Sequence, residues 1–184
     1  MVLKEDCLAN IRREEGPMAT TKRMADVVRR DGAAEAPGNY SGQDLSGRDF
    51  SGATLSGANL SGCRLRGADC SGAYLDGADL RDADCTDADF GLAVLGEATL
   101  DGACFAGANL ERANLVGVSA RGADFSGARM FYSRPGNGAF ERAVFRGADV
   151  QRAIFRRANL RDTDFTDATG TPTLENAVTE GMKT

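Results

Sequence analysis

The chain has 184 residues, a net charge of −5, 42% hydrophobic residues and no histidine. This length fits one domain, and the lack of histidine excludes Ser-His and Cys-His catalytic pairs and histidine-ligated metal sites. No apolar run reaches the length of about 18 residues that a transmembrane helix needs. The composition therefore predicts a soluble protein without a transmembrane segment or a histidine-based site.

The first 36 residues are predicted to form a polar, helical arm and cap. Apolar residues of 3–15 fall on one helical side, and 20–31 starts with a threonine cap and places Met24, Val27 and Val28 on one face. The second helix is expected to cover the open end of the domain that follows. The arm lacks an apolar signal core, which predicts a cytoplasmic protein if Met1 is the true start; a processed plastid or thylakoid-lumen protein is the alternative.

A repeat of five residues follows. From Tyr40 to Phe165 a central residue recurs 26 times without a slip, and 19 of these centres are Leu or Phe. Alanine occupies 18 of the 26 positions two residues earlier, the residue between is usually Asp or Asn, and Gly often stands two residues after the centre. Two apolar residues two apart face one side of an extended segment, and Gly permits a corner. Each pentad must stack on another to bury its centre.

This pattern, A-(D/N)-(L/F)-x-G, resembles the pentapeptide-repeat family over residues 38–167. The resemblance implies an all-β fold, a right-handed quadrilateral parallel β-helix with four pentads in each coil of about 20 residues. We predict this β-helix over 37–169 and a C-terminal tail over 170–184, with a short helical turn in 171–181. Four sides are supported by every fourth centre, which aligns Phe105, Phe125, Phe145 and Phe165 in one stack.

Two places depart from the pattern. In 80–97 the corner glycines are replaced by Asp82, Asp87, Leu92 and Glu97, and because Leu resists the left-handed conformation, these corners are expected to change turn type. The second departure is 131–140, where Pro135 stands at a centre and lacks an amide hydrogen. A bulged pentad or a five-residue insertion would each explain it, and we favour the bulge because it keeps the Phe stack in line.

No cofactor or metal is expected. Cys63, Cys70 and Cys85 take inward positions, where cysteine acts as a small hydrophobic residue, and Cys104 is expected to point outward. The acidic segment 75–90 could attract a cation, but outward Asp is what the repeat itself requires. The absence of any nucleophile–base pair predicts that the protein is not an enzyme.

One side of the predicted prism carries outward apolar residues, which usually mark an interface when they are contiguous. The seven residues are Tyr74, Leu92, Val94, Val116, Phe131, Tyr132 and Ile154. They predict contact with another protein through this side and the N-terminal arm; the alternative is that the arm folds over the side. The aromatic centres face inward, so no direct contact with nucleic acid is expected. Charge is uneven, with an acidic middle over 69–101 and arginines near the C-terminus.

The sequence is compatible with two functions. The first is a non-enzymatic scaffold, a subunit or accessory protein of a larger complex such as a photosynthetic or membrane-associated one, since regular repeats of this family are abundant in cyanobacteria and plastids. The second follows from the resemblance to the quinolone-resistance pentapeptide proteins, which act on DNA gyrase as acidic mimics of DNA. The arginines near the C-terminus and the polar tail argue against the second.

Overall fold

The computed structural model describes residues 38–184. Within this range there is no α-helix and no strand longer than one residue; the repeating elements are isolated parallel bridges, one for each pentad. Up to Asp149–Thr169, each bridge joins a residue to the one 20 positions later, as in Thr54–Tyr74 and Tyr74–Val94. Four bridge positions in each period of 20 make a coil with four sides, which we number by the bridge residues on each.

Side 1 carries Asp44, Arg64, Asp84, Cys104, Asp124, Val144, Asp164 and Lys183. Side 2 carries Asp49, Asp69, Asp89, Asn109, Arg129, Asp149 and Thr169. Side 3 carries Thr54, Tyr74, Val94, Asn114, Arg134, Ile154 and Thr173. Side 4 carries Asn39, Asn59, Asp79, Thr99, Ser119, Ala139, Asn159 and Val178.

All five backbone amides of a pentad can form hydrogen bonds, as the pentad 80–84 illustrates. Two amides donate to the next coil: that of Leu80 to the carbonyl of Thr99 at 2.7 Å, and that of Asp82 to the carbonyl of Asp101 at 3.1 Å. The amide of Ala83 closes the corner on Leu80 at 3.1 Å, and that of Asp84 donates to the preceding coil at 2.8 Å. The fifth amide, that of Arg81, donates to Oδ1 of Asp79 at 3.1 Å. All five amides are therefore satisfied.

The core is a column of inward centres and alanines. From Leu45 to Phe165 the hydrophobic centres are at most 6% exposed. The predicted Phe stack is confirmed: Phe105–Phe125, Phe125–Phe145 and Phe145–Phe165 have ring centroids 5.4, 5.0 and 4.5 Å apart, with the planes within 15° of parallel. Phe140 and Phe155 meet this stack at steep angles, so the later coils have an aromatic interior.

The corners of 80–97 do not change turn type, so that expectation is wrong. Leu92 and Glu97 have φ of +59° and +57°, close to the +64° of Gly77, whereas Gly91 and Gly96 stay outside the left-handed region. The stacked coil imposes this conformation, because the amide of Leu92 must donate to the carbonyl of Glu111, 2.9 Å away. Hydrogen bonding between coils therefore outweighs the reluctance of Leu to adopt a left-handed conformation.

The pentad at Pro135 neither bulges nor interrupts the register, so both explanations offered for it are wrong. Asn114–Arg134 and Ser119–Ala139 bridge at the usual spacing of 20, and Pro135 is buried at its centre. At the next pair of positions on side 3, Arg134 and Ile154, only one of the two hydrogen bonds of a regular bridge forms. The amide of Ile154 donates to the carbonyl of Ser133 at 3.0 Å. Proline lacks the amide for the other bond, and the coil tolerates that single loss.

The C-terminal residues extend the coil. The helical turn expected in 171–181 is wrong: the spacing of the bridges shortens to 19 residues at Ile154–Thr173 and keeps that value to Asp164–Lys183. Leu174, Ala177 and Met182 pack against the core. A helix this short is marginal in water, whereas the preceding coil offers a ready row of hydrogen-bond partners. The predicted helices of 3–15 and 20–31 lie outside the described residues.

Candidate interaction surface

Side 3 presents apolar side chains where the other sides are mostly polar. Its bridge residues Tyr74 and Ile154 are 52% and 38% exposed, and Val94, between them along the side, is half-buried. Tyr74 and Val94 are bridge partners in adjacent coils, so their side chains stand next to each other. The structure thus brings these two predicted contact residues together.

The corner between sides 2 and 3 adds the most exposed apolar residue of this side. Leu92 is 62% exposed and has φ of +59°. A left-handed conformation costs a β-carbon-bearing residue about 1–2 kcal/mol, and the exposed side chain recovers little of that by burial. Twelve other non-glycine residues within 38–184 share this conformation, so it is the exposed aliphatic side chain that distinguishes Leu92.

An aromatic pair lies two coils further along the same corner. The rings of Phe131 and Tyr132 meet edge to face with centroids 4.6 Å apart. The guanidinium of Arg152 lies 5.1 Å from the ring centroid of Tyr132 and donates to its hydroxyl. These contacts fix the orientation of Tyr132, which is 37% exposed, and a rigid aromatic side chain suits a binding surface.

The seven predicted residues all border side 3 but do not form one uninterrupted patch. Tyr74, Leu92 and Val94 form an upper part, and Phe131, Tyr132 and Ile154 form a lower part. Asn114 and Arg134 stand on the line of bridges between the two parts, and Val116 is half-buried at the opposite corner. The surface is therefore two apolar clusters separated by about two coils, roughly 10 Å.

The C-terminal end of the coil was expected to be basic, but several of its arginines are paired with carboxylates. Arg146 pairs with Asp164 at 2.5 Å, Arg156 with Glu175 at 2.8 Å, and Arg161 with Glu180 at 2.9 Å. The last two carboxylates come from the C-terminal coil, which was expected to be a separate tail. Extension of the β-helix thus supplies counter-charges that the repeat alone does not predict.

The corner between sides 4 and 1 carries a charge ladder that the sequence analysis missed. In coil order its residues alternate in sign: Arg81, Asp101, Arg121, Glu141, Arg161 and Glu180. The guanidinium of Arg121 lies 3.8 Å from the carboxylate of Asp101 in the coil before it and 3.5 Å from the carboxylate of Glu141 in the coil after it. Reading the sequence in steps of 20 from Arg81 would have revealed the alternation. Exposed pairs contribute little singly, so the ladder mainly prevents like charges from stacking.

The four cysteines within residues 38–184 are buried and behave as packing residues. Cys63, Cys70 and Cys85 are at most 1% exposed, as predicted, and Cys104 is 3% exposed although it was expected to point to solvent. Cys104 takes the outward bridge position, but its Sγ lies 3.4 Å from Oγ1 of Thr86, which helps to cover it. Burial raises the pKa of the Cys63, Cys70 and Cys85 thiols, which keeps these thiols neutral and unreactive at neutral pH.

Three of the six carboxylates of 75–90 accept hydrogen bonds from the backbone. Asp79, Asp84 and Asp89 each accept the amide two residues later, at 3.1, 3.1 and 2.7 Å. Asp82 occupies a left-handed corner, and its Oδ1 would lie 2.6 Å from a β-carbon placed on Gly102 in the next coil. Across 38–184 no three acidic or cysteine side chains are placed to hold a metal ion.

Asp164 gives the protein a pH-dependent contribution to stability. Desolvation raises the pKa of its carboxyl, but hydrogen bonds from Arg146 and Thr166 outweigh this and lower the pKa to about 2. Since the folded pKa lies below that of the unfolded chain, near 4, this stabilisation is complete above pH 4 and is lost as pH falls through 2. We expect Asp164→Asn to cost about 1–2 kcal/mol of unfolding free energy at pH 7 and much less at pH 2.

Urea unfolding of both proteins at several pH values measures this effect. Asp167→Asn is the matched control, because Asp167 is an exposed carboxylate at the next corner. A difference between wild type and Asp164→Asn that stays constant from pH 7 to pH 2 would show that the ion pair does not cause it.

Comparison with known proteins identifies the family. A family model described as pentapeptide repeats matches eight copies, over residues 41–69, 58–96, 93–130 and 140–169. The chain therefore belongs to the pentapeptide-repeat family, and the resemblance predicted from the A-(D/N)-(L/F)-x-G pattern is confirmed. The comparison with curated protein sequences gave no match.

Solved structures of the same family are similar to the chain. QnrB1, a plasmid-mediated fluoroquinolone resistance protein, is 18% identical over 80% of this chain and 89% of its own, with a TM-score of 0.42. A pentapeptide repeat protein from the Arabidopsis thaliana thylakoid lumen is 33% identical over 77% and 76%, with a TM-score of 0.26. A third, from Nostoc, is 32% identical over 53% and 88%, with a TM-score of 0.45.

No helix within 38–184 has the length and apolar character needed to cross a membrane.

Proposed function

We propose that the protein is a non-enzymatic scaffold, a right-handed four-sided β-helix that binds another protein through side 3. The observation that carries the proposal is Leu92, an apolar residue 62% exposed in a conformation that disfavours it. Glycine would adopt this conformation without the steric cost, as Gly72 does with φ of +61° at the equivalent corner. Among the thirteen non-glycine residues with positive φ in 38–184, Leu92 is the one aliphatic residue, and contact with a partner would account for its exposure.

The surroundings of Leu92 support a binding side. Tyr74 and Val94 extend it by one coil, and Tyr132, with its ring braced by Arg152, lies two coils further on. Aromatic and aliphatic anchors on a rigid frame bind with little loss of conformational entropy. Such a subunit would serve a larger assembly, a photosynthetic or membrane-associated complex included, by presenting one fixed face, and the N-terminal arm would add contacts.

Substitution of Val94 and Tyr132 tests the proposal. We expect Val94→Asp combined with Tyr132→Asp to reduce capture of partner proteins from the native source at least tenfold, because a charge buried in an apolar contact costs well over 1 kcal/mol. Aspartate tolerates the left-handed corner of Tyr132, as Asp87 does with φ of +56°. Capture is measured by affinity purification of the full chain and mass spectrometry.

The matched control places aspartate on another side. Ala139→Asp lies at an outward bridge position of side 4, which also carries Asp79, and we expect it to leave capture intact. If the double variant on side 3 retains its melting temperature and captures the same proteins as the wild type, side 3 is not the binding side.

Leu92→Gly separates the fold from binding. Removal of a strained, exposed leucine is expected to leave the unfolding free energy unchanged or to raise it by up to about 1 kcal/mol, while partner capture falls. Leu95→Gly, at the buried centre of the same pentad, should instead cost about 3–5 kcal/mol. A comparable loss of stability in both variants would mean that Leu92 serves the fold.

A second candidate function is protection of DNA gyrase by mimicry of DNA. It is favoured by side 2, where Asp49, Asp69 and Asp89 occupy successive coils and form a row of carboxylates about 4.8 Å apart. A gyrase supercoiling assay with a quinolone present tests it. Restoration of supercoiling by the purified protein, and its loss on Asp69→Asn, would support this function; no restoration at protein in large excess over gyrase would remove it.

A further inference from the structure

Side 3 carries opposite charges at its two ends. Asp76 and Glu97 accompany the upper apolar cluster, and Arg134 and Arg157 accompany the lower one. Among the salt bridges found within residues 38–184, none involves any of these four side chains. Acidic residues above and arginines below give the side a direction along the coil axis, although Glu175, which pairs with Arg156, also lies near Arg157.

The apolar residues are arranged evenly about the middle of the side. Tyr74 and Ile154 each lie two coils from Asn114 on the line of side 3, and Leu92 and Tyr132 each lie one coil from Arg112 along the corner. A half-turn about an axis through the coil of Asn114 therefore exchanges Tyr74 for Ile154 and Leu92 for Tyr132, and it exchanges Val94 for Arg134. A surface that maps onto its own complement in this way is what a two-fold symmetric contact requires.

We propose that side 3 binds a second copy of this chain, with the two coils packed side by side and antiparallel. The inference rests on the proposed function, for which it names the partner. In this arrangement Tyr74 faces Ile154 of the second copy, and Leu92 faces Tyr132 of the second copy. Glu97 faces the coil of Arg134, and Asp76 faces the coil of Arg157, so that each of these charges gains a neighbour of opposite sign in the second copy.

Charge selects the antiparallel arrangement over the parallel one. Two parallel copies would be related by a two-fold axis along the coils, which places Arg134 against the same residue of the second copy and Glu97 against Leu92, and like charges in contact disfavour a complex. Near the two-fold axis Arg112 meets its own counterpart, and the adjoining Glu111, which already pairs with Arg129 at 3.6 Å, offsets this repulsion only in part. The contact buries one side over about five coils, which places it at the small end of protein interfaces. The dimer is therefore weak and reversible, and salt weakens it further.

Sedimentation velocity of the full chain tests the proposal. The wild type is expected to shift from monomer to dimer as its concentration rises from about 1 µM to several hundred µM, with a weaker shift in high salt. Glu97→Arg alone and Arg134→Glu alone should each raise the dissociation constant about tenfold, because each makes both symmetry-related contacts repulsive. An equal mixture of these two variants should dimerise again, because both contacts then join opposite charges.

The mixture also shows that both variants are folded, since misfolded chains would not restore the dimer. Asp167→Arg is the matched control: it makes the same change of charge at a left-handed corner, with φ of +59°, away from side 3, and should leave dimerisation unchanged. A wild type that stays monomeric at all concentrations, or a mixture that stays monomeric, overturns the proposal. If the monomer nevertheless captures a different protein through side 3, the scaffold function stands and only the self-association fails.

Discussion

Phe125→Ala is expected to lower the free energy of unfolding by about 3–5 kcal/mol. The ring of Phe125 is fully buried and lies between Phe105 and Phe145, with centroids 5.4 and 5.0 Å away, and Phe140 meets its edge at 6.1 Å. Coils held at strand spacing by continuous hydrogen bonds cannot move together to fill the gap. The variant therefore keeps a cavity with three aromatic walls, and chemical denaturation measures its cost.

Phe131→Ala is the control for this prediction. Phe131 is an outward residue that is half-buried and contacts Tyr132, so its loss removes a surface contact and opens no cavity. We expect a cost of about 1 kcal/mol or less. Equal costs for the two substitutions would contradict the assignment of Phe125 to the stack inside the coil.

Ala123→Leu is expected to cost about 1–3 kcal/mol or more, through overpacking. Ala123 is fully buried, and Ala103 and Ala143 hold the same position in the adjacent coils. Stacked coils about 4.8 Å apart leave no room for three more carbon atoms, so the longer side chain must displace either a neighbouring centre or the backbone. Thermal unfolding followed by circular dichroism measures the loss.

The same substitution at Ala139 is the matched control, because Ala139 is an alanine at an outward bridge position of side 4. Ala139→Leu should change the melting temperature by little, since solvent accommodates the added atoms. A wild-type melting temperature for Ala123→Leu would show that the alanine of the pentad does not face inward.

Much of the fold follows from the five-residue period. An apolar centre and an alanine two residues apart can share one side only in an extended segment, and a Gly two residues after the centre marks the corner. These rules placed the core from Leu45 to Phe165, the Phe stack and the inward cysteines. They were sufficient because every coil repeats the same local geometry, so each local preference is reinforced by its neighbours.

The errors occurred where contact between coils overrode local preference. Pro135 and Leu92 each disfavour the conformation of the pentad, and sequence reasoning therefore predicted a bulge at one and a new turn at the other. In the structure the coils above and below fix both positions, because a departure would leave several amides without acceptors. The C-terminal segment was misread for the same reason: its one-residue shift concealed three further bridges.

The candidate site shows the same division. The seven residues bordering side 3 could be predicted, because the repeat determines which positions point outward and which side each one joins. The sequence could not show that Asn114 and Arg134 divide the surface, that Arg152 braces Tyr132, or that Glu175 and Glu180 neutralise arginines. Those facts depend on how far side chains reach between coils.

By itself, the sequence determined the repeating unit, its inward and outward positions and the family to which the chain belongs. Each depends on interactions within about five residues or at a strict period of 20, which can be read along the chain. The tertiary structure alone decided the conformation of the irregular corners, the end of the β-helix and the pairing of charges. These depend on competition between a local preference and the hydrogen bonds of two neighbouring coils, and only the stacked arrangement shows that the coils prevail.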